Sequence, residues 1–149
     1  MSIFGSINAS ASALTAQRLR MDVVSSNIAN AQSTRAVLNE NGEYEPYRRK
    51  MVVMQSADNS FKSMLQNASA APSASGVKVS EITEDEEPFK LTYNPDHPDA
   101  NEAGYVEMPN VDPLQEMVDM MSATRSYEAN VTTLNASKSM LMKALEIGK

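Results

Sequence analysis

His97 is the single histidine of the chain and lies between two carboxylates, in Tyr93-Asn94-Pro95-Asp96-His97-Pro98-Asp99. An imidazole flanked by Asp96 and Asp99 could serve as a base or a metal ligand. No obvious nucleophile accompanies it, and a histidine in a Pro-rich turn is expected to hydrogen-bond its own turn instead. Asp99, Asn101 and Gly104 fall on the first, third and sixth places of a calcium loop, but Ala103 occupies a ligand place and Asn110 replaces the closing acid. No calcium site is expected there. Glu84-Asp85-Glu86-Glu87 reads as a solvated turn rather than a metal cluster. Arg48-Arg49-Lys50 could attract anions, yet strand alternation would split its side chains between two faces, which suits an ion pair with a partner better. Phosphate-binding and dinucleotide-binding glycine patterns are also missing. The expectation is therefore no catalytic residue, no cofactor and no metal: a structural protein rather than an enzyme.

Composition narrows the class. A chain of 149 residues supports one domain, or a small domain with long helical arms. Aromatic residues are only 5% and tryptophan is absent, while methionine reaches eleven, a flexible side chain suited to contacts repeated in non-identical settings. Residues 1–35 carry a net +2, residues 36–112 a net −8, and residues 113–149 balance. Near-neutral ends can pack against copies of themselves, whereas an acidic middle suits solvent. The overall −6 argues against nucleic acid as a partner. Cysteine is absent, so neither disulfides nor thiolate metal sites are available. No stretch approaches the roughly 18 apolar residues of a membrane span, so no direct membrane insertion is expected. The start, MSIFGSINASASALTAQRLR, does not read as a cleaved secretory signal.

Two long helices are expected to dominate. From Ser6 to Ala31 there is no Gly or Pro, and Ile7, Leu14, Met21 and Ile28 recur every seven residues, with Ser10, Gln17, Val24 and Ala31 between them. This is a thin helical stripe on a segment roughly 38 Å long, which needs a partner to be stable. Asp112-Pro113-Leu114-Gln115 opens the second helix with a capping carboxylate and Pro at the first helical position. It can run to Gly148, roughly 51 Å, with Met117, Met120, Tyr127, Val131, Leu134, Leu141 and Leu145 in 3-4 spacing, broken by Thr124 and Lys138. The assembly interface is thus placed on Ile7, Leu14, Met21, Val24 and Ile28 of the first helix and on those seven residues of the second.

The fold class expected is mainly α with a small β part. An N-terminal helix (1–35) and a C-terminal helix (112–149) pair as coiled-coil halves around a β-rich and loop middle (36–111). Within the middle, Pro46–Met54, Gly76–Ile82 and Phe89–Tyr93 read as strands of one small antiparallel sheet. The Ala/Ser/Asn-rich run Ser56–Ser75 reads as a flexible loop. Tyr93–Asp99, continuing through Gly104, reads as an ordered strap leading to the second helix.

Ser25-Ser26-Asn27-Ile28-Ala29-Asn30-Ala31 resembles the signature that ends the N-terminal helix of flagellar rod, hook and hook-associated proteins. Ser122-Ala123-Thr124-Arg125-Ser126-Tyr127-Glu128-Ala129-Asn130 resembles the matching C-terminal signature. The motif residues are Asn27, Ile28, Ala29 and Asn30, with Arg125, Tyr127 and Asn130. Tyr93–Asp99 followed by Gly104-Tyr105-Val106-Glu107-Met108-Pro109-Asn110-Val111 is similar to the proximal-rod members. The resemblance implies a non-enzymatic subunit of the basal-body rod, exported by the flagellar type III apparatus without a cleaved signal. It also implies assembly with copies of itself and with other rod proteins. The competing readings are another axial rod protein such as FlgB, which the middle segments argue against, and a soluble helical adaptor or export chaperone, which would be folded and oligomeric in isolation.

Overall fold

The computed structural model describes residues 3–39, 42–57 and 76–147. The run read as a flexible loop lies, from residue 58 on, outside the described residues, as does Gly148. Helix α1 spans Ile3–Ala29. It ends where Asn30 turns its side chain back, Nδ2 donating to the Ser26 carbonyl at 2.9 Å and so satisfying one of the helix's last acceptors. Helix α2 spans Pro113–Ile147. Asp112 caps it as its position implies, Oδ1 accepting the Leu114 N–H at 3.0 Å.

Between the helices lie three separate two-stranded pairs, where one three-stranded sheet was expected. Strands β1 (Val37–Leu38) and β2 (Tyr44–Glu45) pair antiparallel. Strand β3 (Lys50–Ser56) pairs with β4 (Val77–Glu84). β3 starts at Lys50 rather than Pro46 because the backbone before it is engaged elsewhere. Pro46 has no N–H to donate, the Tyr47 N–H goes to the Ser33 carbonyl, and the Arg49 N–H goes to Asn110 Oδ1.

Strand β5 (Lys90–Tyr93) does not join them. It pairs antiparallel with β6 (Tyr105–Met108), part of the stretch read as a strap. The reversal is made at Gly104, where φ of +80° suits glycine and where the carbonyl accepts the Asn94 N–H. Tyr93 and Tyr105 then face each other edge to face, centroids 5.3 Å apart. A Cβ on Gly104 would stand 2.9 Å from Tyr93 Cε2. Gly104→Ala is therefore expected to cost about 1–3 kcal/mol and to lower the thermal midpoint; an unchanged midpoint would show that this hairpin is not held by its turn.

By its internal contacts the chain divides into two compact units. Unit 1 is formed by residues 1–21, 52–81 and 122–149, and its buried described residues are small: Ser10, Ala16, Ala123 and Ser137. Small side chains let helix backbones approach closely but bury little apolar area. There Ser12 Oγ donates to the Ala9 carbonyl and accepts the Val77 N–H, tying β4 to α1. Unit 2 is formed by residues 22–51 and 82–121, with Val24, Tyr47, Val106, Pro109 and Val111 buried around polar side chains.

Candidate assembly interface

The deepest side chains of unit 2 are polar. Glu116, in the first turn of α2, is 0% exposed and Asn27, near the end of α1, is 1% exposed. Burying a carboxylate is costly unless it is paired and hydrogen-bonded, and Glu116 is both. Asn27 Nδ2 donates to Glu116 Oε2 at 2.9 Å and Arg49 Nε donates to Oε1 at 2.6 Å. Asn27 also holds the backbone of Lys50, accepting its N–H at 3.0 Å and donating to its carbonyl at 2.9 Å, much as a neighbouring strand would. The Tyr47 hydroxyl donates to Asn27 Oδ1 at 3.0 Å. One amide thus joins the end of α1, the start of β3 and the start of α2.

Arg49 extends the junction to Asp85 at 3.4 Å and Asp119 at 3.6 Å. Burial works against its charged form, but the hydrogen bond and charge of Glu116, followed by those of Asp85, outweigh it and raise the guanidinium above its ordinary value. One expectation is corrected here. Arg49 pairs inside the chain rather than with a partner, because strand entry turns it toward Glu116, while Arg48 stacks over the Phe89 ring at 4.4 Å. Within the acid run Glu84, Glu86 and Glu87 are exposed, while Asp85 is half-buried and faces Arg49; Asn110 Nδ2 holds the Asp85 and Glu87 carbonyls.

His97 does bond within its turn, Nδ1 accepting the Asp99 N–H at 3.1 Å. Asp99 itself is held by the Arg35 guanidinium, Nε at 2.6 Å, and by the Thr34 hydroxyl at 2.8 Å. The hydrogen bond from Arg35, then that from Thr34, hold the Asp99 carboxyl below its ordinary 3.8. A depressed carboxyl contributes stability that is complete above the unfolded value and is lost as pH falls through the folded one. Asp99→Asn should therefore narrow the stability gap to wild type as the solution is acidified below about pH 4; a gap that stays constant there would exclude this pair as a source of acid sensitivity. Asn101 Oδ1, the third place of the calcium-like loop, accepts the Ala103 and Tyr105 N–H groups, so it serves the turn. No cluster of three metal-ligating side chains occurs among the described residues.

Of the interface positions, Val24 is buried, while Ile7, Leu14, Met21, Ile28, Met120, Tyr127, Val131, Leu134 and Leu141 are half-buried. Met117 and Leu145 are exposed, at 48% and 74%. Met21 and Thr124 meet across the two helices of unit 1, sulfur to hydroxyl at 3.5 Å. Leu114, Met117, Val118 and Met121 form an exposed i, i+3, i+4, i+7 stripe on α2, and Met140, Met142, Leu145 and Ile147 are exposed near its end. In the motif, Asn27 lies in the junction, Asn30 caps α1, and Asn130 Nδ2 donates to the Ser126 carbonyl. Ala29 and Arg125 are exposed. Arg49, Asn110 and Glu116 were not singled out from the sequence as one junction; Glu116 sits four residues after the legible Asp112 cap, but nothing local marks its partner.

Residues 7–36 match the family described as flagella basal body rod protein, and residues 102–147 match the flagellar basal body rod FlgEFG protein C-terminal family. The chain is 64% identical over 151 residues to the flagellar basal-body rod protein FlgC of Bacillus subtilis (strain 168), with all of both chains covered. It is 44% identical over 158 residues to FlgC of Borreliella burgdorferi, covering 99% of this chain and 98% of the relative. To FlgC of Escherichia coli O6:H1 it is 44% identical over 149 residues, again end to end. The two family matches fall on the segments that carry α1 and α2, and the full-length identities include the middle between them: the chain belongs to the flagellar basal-body rod protein FlgC family.

Proposed function

We propose that this chain, a structural component of the proximal rod of the flagellar basal body, joins the rod by completing the cores of its two helices against neighbouring copies and other rod proteins. Two observations carry the reading: the stripe Leu114, Met117, Val118 and Met121 is exposed, and the buried described residues of unit 1 are small ones. Such faces gain apolar burial only when another chain covers them. The interface comprises the stripe residues of α1 and α2 named above, with Thr124 restricting register and the exposed Lys138 reaching to solvent.

The role is non-catalytic and needs no cofactor or nucleic acid; the acidic balance, the turn bonds of His97 and Asn101 and the pairing of Asp99 with Arg35 support this. No described helix is long and apolar enough to cross a membrane. Export by the flagellar type III apparatus without a cleaved signal, followed by folding of the ends on assembly, fits helices with little core of their own.

Amide hydrogen exchange on the purified chain tests the coupling of folding to assembly. Fast exchange is expected over the amides of residues 3–20 and 122–147, with the slowest amides of the chain around the Asn27–Glu116 junction. Uniformly slow exchange at both ends at micromolar concentration would mean a self-sufficient bundle and would favour the adaptor reading.

A further inference from the structure

Charge is divided unevenly between the two units. Unit 1 holds eight Lys and Arg against four Asp and Glu, a net +4, whereas unit 2 holds five against fifteen, a net −10. Within unit 1, Arg18 and Arg125 are exposed and have no ion-pair partner among the described residues. They stand on α1 and α2, the two elements whose faces are short of cover.

Unit 2 has a cavity of about 570 Å³ between the β1–β2 hairpin and the β5–β6 hairpin with its turn. Two of its lining charges offset each other, Arg35 being paired with Asp99 and lying over the Tyr44 ring at 5.8 Å. Glu43 and Glu107 also line the cavity, both exposed, and neither carboxylate has a hydrogen-bond or ion-pair partner among the described residues. Tyr105, 44% exposed, supplies a flat face on which a guanidinium can stack. Two free carboxylates beside an aromatic ring match an arginine's fork and plane together.

We propose that this cavity is a docking surface for a second copy of the chain, which presents Arg18 and Arg125 to Glu43 and Glu107. The occupant is set by charge complementarity: the acid-lined cavity belongs to the −10 unit, and the unpaired arginines belong to the +4 unit of the same sequence. The contact is heterologous, since one surface meets a different one, and so it propagates from copy to copy instead of closing a two-fold dimer. It orients neighbours and sets their register, while the apolar stripes bury the area.

The inference rests on the rod reading, and charge exchange separates the two. Glu43→Lys with Glu107→Lys, and separately Arg18→Glu with Arg125→Glu, are each expected to reduce the amount of chain in isolated basal bodies by at least about tenfold. The fourfold variant carrying both exchanges is expected to recover most of that loss. Full incorporation of either charge-reversed chain overturns the docking, and so does failure of the fourfold variant to recover. Absence of the wild-type chain from basal bodies would instead overturn the rod reading. As a second measurement, the cysteine-free chain allows Glu107→Cys and Arg125→Cys variants to be co-expressed in the same cells and treated with a short bismaleimide. A crosslinked dimer found only when both are present is expected; basal bodies containing both variants without that dimer, or with Glu107→Cys joined to a different rod protein, overturn the second copy as occupant.

Discussion

Glu116→Ala is expected to destabilise unit 2 by about 3–5 kcal/mol, the usual cost of removing one partner from a buried charge pair. Arg49 would keep only its longer contacts to Asp85 and Asp119, and Asn27 Nδ2 would lose the acceptor that fixes it. Against the roughly 5–15 kcal/mol that holds a typical domain together, such a loss leaves little in reserve. A fall in the thermal midpoint is expected, along with loss of motility in cells that carry only this variant. Glu116→Gln keeps the volume and one carbonyl acceptor while removing the charge, so it should fall between the two. Asn27→Asp should be worse than Asn27→Ala, because it puts a second carboxylate beside Glu116 and loses the donor that reaches the Lys50 carbonyl. A Glu116→Ala protein melting with wild type would mean that the junction is incidental to the fold.

That junction also marks where sequence reading ends. The Asn-Ile-Ala-Asn signature and the Asp112-Pro113 helix start are legible because they act locally: Asn30 bonds four residues back and Asp112 caps two residues ahead. Asn27 looks the same in sequence, yet it acts on a residue 23 positions away and on another 89 away. Charge patterning is equally blind to distance. Glu116 sits in a helix's first turn, where an acid is ordinary, and Asp85 sits in an acid run; only the return of β3 brings Arg49 to both. β6 was hidden for a different reason. Proline, asparagine and glycine mark a turn without saying whether the chain afterwards leaves or doubles back, and here it doubles back to pair Tyr105 with Tyr93. For the helix faces, heptad spacing picks out the large apolar side chains, but the most buried described residues of unit 1 are alanines and serines between them.

The same distinction decides which substitution tests assembly most sharply. Ile28→Asp or Leu134→Asp should block incorporation, but both positions are half-buried already, so a failure could come from the fold alone. Leu114 and Val118 are 71% and 55% exposed. Leu114→Asp with Val118→Asp should change the stability of the isolated chain by no more than about 0.5 kcal/mol, and an added acid in the first turn of α2 suits the helix N-terminus. In an assembled rod the same carboxylates would be stripped of water without a partner, at several kcal/mol each. Since each 1.4 kcal/mol is about tenfold in an association constant, incorporation should fall by at least about a hundredfold. An unchanged melting curve together with empty basal bodies is the expected pair of results. A variant that melts normally and is recovered from basal bodies at the wild-type level would remove this stripe from the interface and leave assembly to the charged contacts and to the far end of α2.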